Sequence, residues 1–227
     1  MASPLAGGGG VEASVERVLA ALPPDAARRE RRFILGIAGP PAAGKSTLAE
    51  ALREALNGGR GSGGEDEVAT IAGLDGLHFD DAVLHARGHR PRKGAPFTFD
   101  AAGYAAMLER LAAPSREAVA IPVFDRDLEL SRAAAAIVEP RHRIVITEGN
   151  YLLLDDDRWR SARDRLDLTV FIDVPFEELR RRLMARWLGH GYDPEEATEK
   201  TEGNDLVNAR LVAGTSVEPD LRVRAPG

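Results

Sequence analysis

Four apolar runs punctuate the chain: FILGIA at 33–38, VATIA at 68–72, IVIT at 144–147 and LTVFIDV at 168–174. They are continuous rather than alternating, the pattern of strands covered on both faces of a parallel sheet. Between them the apolar positions recur at helical spacing. Val11, Val15, Val18, Leu19 and Leu22 predict a helix over 11–22 that Pro23 and Pro24 stop, residues 47–52 continue helically after the first strand, and Asp100 opens a helix over 101–111. Strand and helix alternating in this way predict an α/β fold, doubly wound, with a parallel sheet of about five strands flanked by helices. Two stretches depart from that rhythm. Residues 118–124, with Pro122 among them, and 134–138 read as an antiparallel pair, and 221–223 as a last edge strand. The glycine-rich residues 1–10 read as a flexible tip, 57–66 as a surface loop, and 11–227 as a single domain.

Composition narrows the class. A chain of 227 residues, 44% hydrophobic and 29% charged, suits one globular core. Net charge −6 argues against a nucleic-acid platform, and no apolar stretch is long enough to cross a bilayer. The absence of cysteine and of a secretory n-region and h-region predicts a cytoplasmic protein. Lys45, Lys93 and Lys200 are the only lysines among 30 Lys and Arg residues, so Lys45 and Lys93 stand out as selected, with a plain surface role open for Lys93.

The chemistry centres on Gly39, Pro40, Pro41, Ala42, Ala43, Gly44, Lys45 and Ser46, followed by Thr47: G-x-x-x-x-G-K-S between a strand and a helix. The glycines let the backbone turn its N–H groups toward phosphate oxygens, and the helix start adds its positive dipole end. Lys45 can reach the β- and γ-phosphates of ATP, and the Ser46 hydroxyl can ligate Mg2+. Ala42 occupies a position that often carries glycine, which predicts a negative φ there.

Other candidates lie where the predicted strands end. Asp75 follows the second run and reads as a general base on an acceptor hydroxyl, as a holder of magnesium through water, or as a turn or capping residue; His78, close behind it, is open between substrate contact and an ordinary loop histidine. The basic, proline-containing loop 87–100 carries Lys93 and ends in Asp100, which is equally a helix cap or a substrate contact. Arg126 sits between Asp125 and Asp127 at the hairpin tip, suited to orient a polyol or to solvation. Glu148 ends the third run in a Walker-B-like way and would sit beside Ser46 to complete the magnesium shell or polarise the attacking oxygen, an end-of-strand cap being the plain alternative. After Pro175, a helix bears Arg180, Arg181, Arg182 and Arg186; this is the arginine-bearing lid, with Arg182 and Arg186 on one side and favoured for the transferring phosphates. Asn208 is a candidate reader of the nucleotide base or a capping residue.

Taken together, GPPAAGKST, DGLHFDD, RKGAPFTFD, PVFDRDLE, TEGNYLLL, the arginine-rich lid and NDLVNARLV resemble the uridine kinase and type I pantothenate kinase group of P-loop kinases. The likeness is greatest to its bacterial nucleoside-kinase-like, or fructose transport system kinase, branch. The resemblance runs from about Phe33 to Val212. It implies a P-loop NTPase-type fold and ATP-dependent phosphorylation of a small-molecule hydroxyl. It further implies Asp75 as base, Glu148 near magnesium, and Asp100 and Arg126 near the acceptor. The aromatic pyrimidine pocket of uridine kinases has no counterpart in Leu77, His78 and Phe124, and pantothenate kinases are considerably longer. Nucleoside, sugar and pantothenate-like acceptors therefore stay open, as does oligomeric state. The rival reading is a regulatory P-loop NTPase without an acceptor, which would need an N-K-x-D-type guanine motif that this sequence lacks.

Overall fold

The computed structural model describes residues 10–59, 66–114 and 117–225. Of the tip expected at 1–10 only Gly10 is among them, and the centre of the loop 57–66 lies outside them. In chain order the elements are α1 (Val11–Ala21), β1 (Phe33–Ala38), α2 (Lys45–Leu56), β2 (Ala69–Ile71), α3 (Asp81–Ala86), α4 (Ala101–Ala112), β3 (Val119–Asp125) and β4 (Leu130–Val138). They continue with β5 (Ile144–Gly149), α5 (Asp157–Arg163), β6 (Leu168–Asp173), α6 (Phe176–Gly189), α7 (Pro194–Lys200), α8 (Leu206–Thr215) and β7 (Leu221–Arg224).

β1 is buried along its whole length because it has a strand on each edge and helices on each face. The five-stranded sheet has the order β2-β5-β1-β6-β7, and every neighbouring pair is parallel. Alternate residues of β1 face opposite layers: Phe33, Leu35 and Ile37 pack with Val18, Leu48 and Leu52 of α1 and α2, while Ile34 and Ala38 join Tyr104, Leu108 and Trp159 of α4 and α5. Each fully buried large side chain contributes roughly 1.5–3 kcal/mol, so two apolar layers explain why the strand sequences do not alternate with polar residues. Among the described residues, no helix is long and apolar enough to cross a membrane.

The strand order decides the site. In a parallel sheet all the C-terminal ends lie on one edge. Because β5 sits between β1 and β2, it brings the segments after Ala38, Ile71 and Gly149 side by side from distant parts of the sequence.

β3 and β4 form a separate antiparallel pair, and β4 starts earlier than the return expected over 134–138. Pro122 breaks the ladder, since it has no N–H to donate. The register passes from Ile121↔Ala136 to Val123↔Arg132, so Ala133, Ala134 and Ala135 bulge opposite Pro122, and Ala134 takes φ +53°. Arg32, only 2% exposed, joins this pair to the sheet. Its guanidinium donates to the carbonyls of Leu111, Glu117, Glu139 and His142, gathering the end of α4 and both outer ends of the hairpin around the start of β1.

Candidate active site

The chain turns sharply between β1 and α2. Gly44 caps α2 at φ +91°, in the left-handed region where glycine pays no Cβ penalty. Ala42 corrects the expectation of a negative φ: it adopts +62°. A left-handed non-glycine residue costs roughly 1–2 kcal/mol, and its surroundings hold it there. Ala42 packs against the cluster of Leu179, Leu183, Leu206 and Ala209, and its carbonyl accepts from Arg182 Nη1 at 3.4 Å. Ala43 is buried and Thr47 exposed in the first turn of α2.

Lys45 is 8% exposed, with Nζ donating to Pro40 O at 2.9 Å and to Asn150 Oδ1 at 2.6 Å. Burial holds its pKa below the ordinary lysine value, against the raising influence of Glu148 and Asp75, while Arg186 adds to the depression. Ser46 Oγ donates to Glu148 Oε1 at 3.0 Å, as the Walker-B-like spacing requires. Burial raises the Glu148 pKa, the Lys45 charge opposes that rise and the Asp75 charge adds to it. Behind Glu148, Tyr104 OH donates to Thr147 Oγ1, which donates to Ala72 O, both at 2.6 Å, locking β5 to the end of β2 from the α4 side. A serine hydroxyl and a single carboxylate are hard oxygen donors of the kind Mg2+ accepts, since that ion keeps most of its shell for phosphate and water.

Asp75 lies in a tight turn, Leu74–Leu77, and caps no helix. Its Oδ2 accepts from Arg126 Nη2 at 2.8 Å, so the hairpin tip reaches the strand-end carboxylate. Ser46, Glu148, Asp75 and Arg126 share a cleft of about 340 Å³ whose apolar wall includes Ile71, Ile121, Val123 and Phe124. His78 stands beside it. Its Nδ1 is 2.9 Å from Asp75 O, its ring stacks between Phe99 and Phe124, and burial keeps its pKa below the ordinary histidine value.

Other expected contacts have defined structural partners. Lys93 Nζ bonds Asp81 Oδ1 at 2.8 Å and Glu129 O at 2.9 Å and lies over the Phe124 ring, clasping the loop to the hairpin tip. Asp100 caps α4 through Gly103 N. On α6, Arg180 pairs with Glu202 and Arg181 with Glu178; Arg182 pairs with Glu178 and reaches the phosphate loop, and Arg186 lies over the Trp187 ring. Asn208, 2% exposed, accepts from Arg92 at 3.4 Å and donates to Asn204 at 3.3 Å.

Sequence reasoning assigned no role to Asn150, Tyr151 or Arg92. The only sequence signal was the placement of two polar-tipped residues directly after a strand-end carboxylate, in TEGNY. Which groups they reach is decided by tertiary packing.

The parallel sheet, the strand–loop–helix turn with its buried lysine, and the paired serine and glutamate define a P-loop nucleotide-binding protein of the kinase type. Residues 34–205 match the model of the phosphoribulokinase/uridine kinase family, and the chain belongs to that family. A Schizosaccharomyces pombe protein named "Putative uridine kinase" is 32% identical over 200 residues, spanning 86% of this chain and 83% of its own. Escherichia coli YggC, named an uncharacterized protein, is also 32% identical over 200 residues, covering 86% and 78%. The crystal structure of a "putative fructose transport system kinase" from Silicibacter sp. TM1040 superposes with a TM-score of 0.83 at 37% identity, over 95% of this chain and all of that one. The protein is therefore a small-molecule kinase of the P-loop class that uses ATP with Mg2+ and phosphorylates a hydroxyl.

Proposed function

We propose that the chain transfers the γ-phosphoryl group of ATP to a hydroxyl of a nucleoside, sugar or pantothenate-like metabolite seated against Asp75. The observation that carries this reading is the Asp75–Arg126 pair facing Ser46 and Glu148 across one cleft. A base and a cation for the acceptor then lie opposite the groups that hold the nucleotide and metal. Asp75 takes the acceptor proton as the new O–P bond forms and the bond to the β-phosphate oxygen breaks, releasing ADP. Lys45 lies against the γ-phosphoryl group, with Arg182 and Arg186 of α6 supplying further positive charge over the phosphate loop. The loop 39–47 would cradle the phosphates, and Ser46 and Glu148 would hold Mg2+, whose charge would neutralise that of the phosphates. Arg126 orients the acceptor together with His78 and Phe124, while Lys93 and Asp100 hold the walls of its pocket; Asn208 sits where the α8 side meets the loop after α3.

The reading is tested by ADP release from Mg-ATP across a panel of nucleosides, pentoses, ketohexoses, glycerate and pantothenate. One acceptor class should stimulate turnover, and the stimulation should vanish in Lys45→Ala and Asp75→Asn. An acceptor-independent hydrolysis that survives Asp75→Asn, with no acceptor raising it, would favour an NTPase instead.

A further inference from the structure

The turn at Lys93 and Gly94, in the loop 87–100, is held from three directions. Lys93 Nζ reaches forward to Glu129 O in the hairpin. Asn204 Nδ2, from the π-helical turn Thr201–Asp205 that follows α7, donates to Lys93 O at 2.8 Å, and its Oδ1 accepts from Arg92 Nε at 2.9 Å. Tyr151 OH donates to Gly94 O at 2.5 Å. Gly94 has φ +97°, and its own N–H donates to Thr98 Oγ1, so the turn adopts one definite shape.

Tyr151 is adjacent in sequence to Asn150, and Asn150 Oδ1 accepts the 2.6 Å bond from Lys45 Nζ. Two successive residues leaving β5 thus grip the phosphate-loop lysine with one side chain and the acceptor-side loop with the next. Burial raises the pKa of the Tyr151 hydroxyl, and the Asn150 side chain opposes that rise. Lys45 donates to the Asn150 side chain and Tyr151 donates to the Gly94 carbonyl, and a single step of backbone joins the two anchors. Tyr151 is fully buried among Phe99 and Trp159, so it has little room to move without carrying its partners with it.

We propose that Asn150 and Tyr151 are positioning residues coupling the conformation of the 93–98 turn to the position of Lys45, so that nucleotide phosphate and acceptor each favour the other's binding. Such coupling is reciprocal: whatever Lys45 gains by moving toward phosphate is transmitted to the Gly94 turn, and ordering of that turn by an acceptor is transmitted back. The proposal rests on the kinase reading only in taking Lys45 as a phosphate ligand.

The test needs no acceptor. Hydrogen–deuterium exchange of the full chain, with and without the non-hydrolysable nucleotide Mg-AMP-PNP, reads the Gly94, Ala95 and Thr98 amides, and calorimetry records nucleotide binding in parallel. In the wild-type chain nucleotide should slow exchange at this turn about fivefold or more, the lower end of common coupling strengths. Asn150→Ala and Tyr151→Phe should still bind nucleotide but lose most of that remote response. Tyr151→Phe keeps the aromatic packing, which separates lost coupling from damaged folding. An undiminished response in both variants, or no response in a wild-type chain that binds nucleotide, overturns the coupling alone; failure of the wild-type chain to bind nucleotide overturns the phosphate-site reading with it.

Discussion

At the scale of single residues the site trades stability for charge. Glu148 is half-buried at the end of β5, and desolvation raises its pKa. A carboxyl whose folded pKa lies above its unfolded value lends stability in acid and loses it as pH rises through the folded value. Ionising Glu148 therefore carries a desolvation cost that Mg2+, bound as proposed, would relieve. Glu148→Gln should raise Tm in magnesium-free buffer at pH 7–8, the gain shrinking toward pH 4, while Mg2+-dependent stabilisation by nucleotide disappears; thermal melts over pH with and without Mg-ATP measure both. Asp75 belongs to the same scale. Asp75→Asn should lower kcat by about 10²–10⁴, the usual worth of a positioned base, with nucleotide affinity in calorimetry changed little. Lysine usage singled out Lys45 and Lys93; both ammonium groups bind carbonyl oxygens, Lys45 buried and Lys93 half-buried. The sign of φ at Ala42 escaped that level of reading, because the packing that compensates a strained alanine comes from α6, more than a hundred residues away.

At the scale of elements, the hairpin is seated directly on the Asp75 turn. A Cβ placed on Gly76 would lie 2.4 Å from Pro122 O and 2.7 Å from Pro122 C, both rigid backbone atoms. Gly76 is thus required by close approach of the bulged strand, and Pro122 is tolerated because the bulge removes its ladder position. Gly76→Ala should push β3 and Arg126 away from Asp75 and lower acceptor kcat/KM by about 10²-fold, the scale of an ångström misplacement. Mg-ATP affinity, set on the far side of the cleft, should hold in the same calorimetric assay. The sequence marked the two strands and the tip residue Arg126, but the bulge depends on pairing register, which periodicity does not carry. For the same reason the partners of Asn208, Arg92 and Asn204, are a matter of geometry, whereas the capping of α4 by Asp100 through the Gly103 amide was legible because cap and amide are three residues apart.

At the scale of the whole molecule, Arg32 links the β3–β4 insertion to the main sheet. Burial and nearby Arg143 hold its pKa below the usual arginine value, yet its guanidinium serves four carbonyls. Arg32→Met should cost about 3 kcal/mol, the upper range for a charged hydrogen bond or an orphaned buried group. Urea unfolding should register this as a lower midpoint with an unchanged slope. Core truncation offers a contrast: Trp159→Ala, at the centre of the Tyr104, Tyr151 and Phe99 cluster, should cost about 3–5 kcal/mol. It should also loosen Tyr151, so the variant would lose acceptor-stimulated turnover per folded molecule, an effect seen by titrating the active fraction before assay.

The sequence alone determined the strands β1, β2, β5 and β6, the helices α1, α2, α4 and α6, and the chemistry of the phosphate side. Continuous apolar runs encode strands covered on both faces, and G-x-x-x-x-G-K-S is a local motif whose backbone turn and lysine act within a few residues of one another. Only the tertiary structure decided which carboxylate met which cation. The meeting of Glu148 with Ser46 was expected from the strand-end carboxylate and is found, whereas Asn150 against Lys45 and Arg126 against Asp75 came only with the strand order and the seating of the hairpin. Local motifs are legible because their partners are near in the chain, while contacts across a hundred residues depend on packing and register that no short pattern records.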